Sequence, residues 1–134
     1  MSFRFEGDNI SPIENPETEE MLTLLNTLHP KRRCFFSLTE LLTGSYVQVA
    51  GAPLRLTVEA RQYRQNGFRH YVMGDYPRKE DSAYINCRVG PIYILQSQML
   101  ILEDARRIFV QFLSNAELIE GFDLQDVTLR FIPE

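Results

Sequence analysis

Tryptophan is absent from this chain, and histidine and cysteine occur twice each, as His29, His70, Cys34 and Cys87. That scarcity limits the chemistry the sequence can carry. A zinc site would need all four of these residues to converge, and no C-x-x-C or H-x-x-x-H spacing is there to help. No papain-like or nucleophile-elbow signature surrounds either cysteine. Glycine numbers only 7 in 134 residues, with no G-x-G-x-x-G and no G-x-x-x-x-G-K-[ST], so no phosphate cradle is prepared. No bound cofactor or metal is expected.

Long apolar runs are missing too. Ile92–Leu95 and Met99–Leu102 are the longest, far short of the roughly 20 residues a membrane span requires. The start, Met1-Ser2-Phe3-Arg4-Phe5-Glu6, turns acidic at once and shows no export leader. The expectation is a cytoplasmic protein with no membrane partner, whose two thiols are reduced and act as small buried hydrophobes.

What is present is ordinary for a globular domain. Apolar residues make up 44% and charged residues 24%, and the length suits one domain spanning 1–134. The net charge of −4 is unevenly spread. Near the start, Arg4 stands against Glu6, Asp8, Glu14, Glu17, Glu19 and Glu20. The middle carries Arg55, Arg61, Arg64, Arg69, Arg78, Lys79 and Arg88 against fewer acids. A folded surface with two faces of opposite sign is one consequence; plain solvated charge is the other.

Periodicity divides the chain. Phe3 and Phe5 alternate with Arg4 and Glu6, as in an edge strand or a docked arm. Asn15 as N-cap and Pro16 at the first helical position open a helix. Its stripe is Met21, Leu24, Leu25 and Leu28, and His29-Pro30 close it. Cys34-Phe35-Phe36 reads as a short strand and Ser37–Leu42 as a helical turn. Tyr46–Ala50 is a strand with a turn at Gly51-Ala52. Leu54, Leu56, Val58 and Ala60 alternate with Arg55, Thr57, Glu59 and Arg61 in the next strand. Asn66-Gly67 makes a tight hairpin to Phe68–Met73. Gly74–Ser82 is a loop, Ala83–Val89 a strand, Gly90-Pro91 a turn and Ile92–Leu95 extended. A second helix begins near Glu103-Asp104 with Ala105, Ile108, Phe109, Phe112 and Leu113 on one stripe. Val127, Leu129 and Phe131 alternate in a last strand. Helices and strands segregated in this order predict an α+β fold, with an antiparallel sheet of about five to six strands and two amphipathic helices on one face.

The carboxylate pairs Glu19/Glu20, Glu80/Asp81 and Glu103/Asp104 have simpler roles in helix first turns or solvated loops than in catalysis. Arg55, Arg61, Arg64 and Arg69 interleave with Tyr63, Phe68 and Tyr71, a faint stacking-face pattern. Acidic ends and a pI near 5.2 oppose phosphate binding, so no nucleic-acid partner is expected. A protein-binding surface remains. Its candidates are Arg61, Tyr63, Arg64, Phe68, His70 and Tyr71 on the hairpin, and Asp75, Tyr76, Glu80 and Asp81 in the loop after it. Tyr and Arg are the residue types that dominate interface hot spots.

The stretch Pro91–Arg130 carries a family likeness. It contains Gln96–Leu113, with Glu103-Asp104-Ala105 opening the helix and Phe112-Leu113 near its end, then Glu117-Leu118 and Asp126-Val127-Thr128-Leu129. This resembles the C-terminal helix and last strand of immunity protein family one, from bacterial polymorphic toxin and contact-inhibition systems. The upstream order, an acidic helix and then a meander with Tyr46–Gly51 and Leu54–Glu59, is similar as well. The resemblance implies a cytoplasmic antidote that binds one cognate toxin, often a nuclease or deaminase, and is itself no enzyme. It implies no catalytic residues. Whether the free protein is a monomer or a dimer stays open. Two other readings are an acidic secretion chaperone, and a small enzyme using His70 with Asp75 or Glu59.

Overall fold

The computed structural model describes residues 1–133. Its elements are β1 (Phe3–Gly7), β2 (Ile13–Glu14), α1 (Thr18–Leu25), β3 (Phe35–Glu40), β4 (Tyr46–Ala52), β5 (Arg55–Arg64), β6 (Gly67–Gly74), β7 (Ser82–Cys87), β8 (Gly90–Leu95), α2 (Leu102–Asn115) and β9 (Asp123–Asp126). Two short 3-10 turns, Gln96–Gln98 and Thr128–Phe131, complete them. Seven strands form one sheet in the order β2-β1-β3-β4-β5-β6-β9, and β7–β8 is a separate hairpin. Every strand pairing is antiparallel. The fold is α+β, as the order of periodicities predicts, with a larger sheet than expected. No helix among the described residues is long and apolar enough to cross a membrane.

Strand alternation builds the core. Phe3 and Phe5, Phe36 and Leu38, Val47 and Val49, then Leu56, Val58, Ala60 and Met73 all share one buried cluster with both helices. Helix α2 contributes Ala105, Ile108, Phe109 and Phe112. Phe109 meets Phe5 edge-on, Phe112 meets Phe3 edge-on, and Phe5 stacks on Phe36 at 5.3 Å. Truncating an aromatic in such a cluster costs about 3–5 kcal/mol. Helix α1 adds Met21 and Leu25. Both helices therefore lie on one face of the sheet, and the other face is free of them.

Four local expectations are corrected. Of Ser37–Leu42, only Leu41-Leu42 lies in a turn, closed by Gly44 N–H to the Glu40 carbonyl at 2.9 Å, and Ser37–Glu40 is strand. Phe36, Leu38 and Glu40 alternate inward, and β3 pairs with β1 on one side and β4 on the other. Asn15 does not cap α1. Its backbone is left-handed (φ 48°), its side chain accepts from Phe3 N at 2.9 Å, and the helix begins at Thr18. The last strand is Asp123–Asp126 rather than Val127–Phe131. The Asp126 carboxylate accepts from both the backbone N–H and the hydroxyl of Thr128, which turns the chain out of the ladder.

The fourth correction concerns the cysteines. Cys34 and Cys87 are joined in a disulfide, with Cα atoms 5.6 Å apart. The bond ties hairpin β7–β8 to the start of β3. Gly51 permits the close packing beneath: a Cβ there would lie 2.5 Å from the Arg55 carbonyl oxygen and 2.6 Å from the Ile85 side chain. Sequence spacing gave no sign of this, because the pairing depends on how the hairpin folds over β4.

Candidate binding surface

The hairpin β5–β6 carries most of the candidate residues, and its register sorts them. Tyr46 lies opposite Arg61, Arg61 opposite His70, and Tyr63 opposite Phe68. Alternation puts these residues, with Glu59, on the face away from the helices. Tyr71 pairs with Ala60, a core residue, and so belongs to the helix-bearing face. Arg64 is exposed at the hairpin tip.

His70 is the centre of the cluster, with its side chain only 1% exposed. Arg61 Nε–H donates to Nδ1 at 3.0 Å, so Nδ1 is unprotonated. The ring proton therefore sits on Nε2, 2.7 Å from Glu59 Oε1. The backbone N–H of His70 donates to Thr128 Oγ1 at 2.9 Å, which fastens the C-terminal turn beside it. That turn brings Phe131 to 4.4 Å from the imidazole, ring centre to ring centre.

The Arg61 guanidinium is framed by aromatic rings. Its carbon lies 4.2 Å from the Phe68 ring centre, 4.7 Å from Phe131 and 5.8 Å from Tyr46. Tyr63 tilts against Phe68 at 5.6 Å. Burial pushes the Tyr46 hydroxyl above its ordinary pKa, and the nearby Arg61 charge opposes that rise. Asp126 is held below the usual carboxylate range by its hydrogen bonds from Thr128. Beside the cluster, Arg64, Asn66, Gly67, Phe68, Arg69 and Ile132 line an open groove of about 350 Å³.

Asp75, Tyr76, Glu80 and Asp81 do not join this cluster. They are exposed in the segment after the far end of β6. At about 3.3 Å per strand residue, that is roughly 20 Å from the Arg61 end. The segment is pinned rather than loose. Arg78 clamps Asp123 with two hydrogen bonds of 2.7 and 2.9 Å, and Lys79 N–H donates to Ser97 Oγ at 3.0 Å. Although Asp75 is exposed as a residue, partial burial of its carboxyl, with Asp104 nearby, raises it above its ordinary value. The expected single surface is thus two patches at opposite ends of one strand.

Sequence reasoning missed Tyr46, Thr128 and Phe131, and named Glu59 only as a catalytic partner. Strand parity could have found Tyr46, since it aligns with Arg61 once β4 and β5 pair. Nothing local marks Phe131, whose place depends on the turn at Asp126. Also unmarked is the hairpin pair Tyr84 and Tyr93, which face each other at 6.4 Å with Arg55 over Tyr84. Among the described residues no His, Cys, Asp and Glu cluster is arranged to hold a metal ion. No protein-family model and no curated protein matches the chain.

Proposed function

We propose that the chain is a binding protein of immunity type, which neutralises a cognate bacterial toxin by covering its active site. The observation that carries the binding half is the Arg61 clamp. An arginine packed against aromatic rings, on a sheet face the helices leave open, has the composition and rigidity of an interface anchor. The toxin half rests on the likeness of Pro91–Arg130 to immunity protein family one, which implies a nuclease or deaminase as the target. The same likeness implies a cytoplasmic setting, where the toxin's substrate lies, and the Cys34–Cys87 disulfide weighs against that part of it.

A catalytic reading has one observation in its favour, the 2.7 Å contact between His70 and Glu59. That geometry resembles a base with its orienting carboxylate. Yet the ring is buried and Arg61 occupies its second nitrogen, so no lone pair faces a substrate. The binding reading accounts better for both hydrogen-bond partners of the imidazole.

The gene directly upstream supplies the test. Immunity function requires it to encode a large secreted protein with a toxic C-terminal domain. Expressing that domain in a bacterial host should stop growth, and co-expressing this chain should restore it. Unrelieved toxicity with the chain present at equal abundance counts against the proposal.

A further inference from the structure

We propose that Arg61 is a carboxylate receptor, and that the basic end of the β5–β6 hairpin takes an acidic segment of a partner protein. This deepens the proposed function and rests on it for the partner being a protein.

The guanidinium is fixed from three directions. Nε is spent on His70, and the Phe68 and Phe131 ring centres lie 4.2 and 4.7 Å from the guanidinium carbon. Its terminal nitrogens are nearly free: Nη1 has a long 3.5 Å contact to the Tyr63 hydroxyl, and Nη2 has no hydrogen bond among the described residues. Arg4, Arg78 and Arg88 each pair with a carboxylate, whereas no described carboxylate comes within 4.0 Å of Arg61. The acid next to it on the same face, Glu59, is turned to His70. A half-buried cation with a preset fork and no paired carboxylate among the described residues is incomplete by itself. A carboxylate completes it, because two parallel N–H donors match two carboxylate oxygens.

The surroundings extend the same preference. Arg64 and Arg69 line the groove that shares Phe68 with the clamp; their strand parity is opposite to that of Arg61, so they add positive charge at the hairpin edge rather than on its face. The whole chain is negative, yet this end gathers three arginines. The Phe68 and Phe131 rings are taken up with Arg61 and leave little face for a base to stack on, which favours an acidic protein segment over nucleic acid.

The test uses the full chain and a fluorescently labelled hexaglutamate peptide, with binding read by anisotropy at low salt. The peptide binds the wild type, and Arg61→Gln weakens it at least tenfold, while Arg106→Gln on α2 changes nothing. Arg61→Lys does not restore affinity, since an ammonium cannot replace the fork. Arg64→Gln with Arg69→Gln alters exposed positions only and lowers affinity at least threefold, so this measurement stands even if Arg61→Gln misfolds. No binding by wild type, or equal binding by the folded variants, overturns the proposal. So does tighter, Arg61-dependent binding of a single-stranded hexanucleotide. Peptide binding that survives while toxin protection fails would sink the immunity reading alone.

Discussion

Arg61 Nε–H points at His70 Nδ1 from 3.0 Å, and this one contact decides the state of the imidazole. Arginine only donates, so the facing nitrogen must accept, and the ring proton moves to the Glu59 side. A histidine in mid-strand, read alone, suggests either a base or a core residue. The register shows a third role: His70 is the strut that holds an arginine at the surface.

The strut can be seen directly. Nitrogen-15 spectra of the ring should show the proton on Nε2 and an accepting Nδ1. His70→Ala removes a buried ring with two hydrogen-bond partners, Arg61 and Glu59, and should cost about 1–3 kcal/mol of stability. It should also weaken partner binding in protein that remains folded. An Nδ1-protonated ring would contradict the geometry.

The cysteines make a second prediction. Peptide mapping without reductant should recover one cross-linked species joining Cys34 to Cys87. The two positions are 53 residues apart, so replacing both with Ala should lower stability by about 2–4 kcal/mol through the freed loop. In a reducing cytoplasm the bond would form against the glutathione poise. Protein isolated under alkylating conditions therefore also reports the compartment: two alkylated thiols fit the cytoplasmic proposal, and an intact bridge points to an oxidising one.

Two carboxylates should act on acid stability in opposite senses. Glu40 is buried, which raises its pKa, but hydrogen bonds from Leu42 N, Thr43 Oγ1 and Thr43 N outweigh the burial and leave it lowered. Its contribution is present above the ordinary carboxylate pKa and is lost as pH falls through the lowered folded value. Asp75 is raised, by burial first and then by Asp104. It opposes folding at neutral pH and ceases to do so as it takes up a proton. Asp75→Asn should raise the denaturation midpoint at neutral pH, with the gain vanishing in acid; Glu40→Gln should lower it at neutral pH. Midpoints in urea across pH check both.

Much of the fold could be read along the chain, and the reasons are local. Leu56, Val58 and Ala60 announce β5 by alternation, and Ala105, Ile108, Phe109 and Phe112 announce α2 by helical spacing. The turns were displaced because the residues that permit them flank them. The loop is Gln65-Asn66, and Gly67 supplies its positive φ from the first position of β6. Ser37–Leu42 failed as a helix because two neighbouring strands claim it. The site was half legible: Arg61, Tyr63, Phe68 and His70 do converge, whereas Tyr71 turns away and Asp75, Tyr76, Glu80 and Asp81 lie at the strand's other end. Phe131 and the disulfide arise from long-range packing that no periodicity encodes.

We propose that this chain binds a toxin through an arginine anchored on its open sheet face. Calorimetric titration of wild type and Arg61→Gln against the toxic domain encoded beside it tests that most directly. The account predicts a one-to-one complex of nanomolar order for wild type, at least a hundredfold weaker for the folded variant, a loss of about 2.7 kcal/mol. Equal affinity of the two proteins, or no complex with wild type, would contradict it.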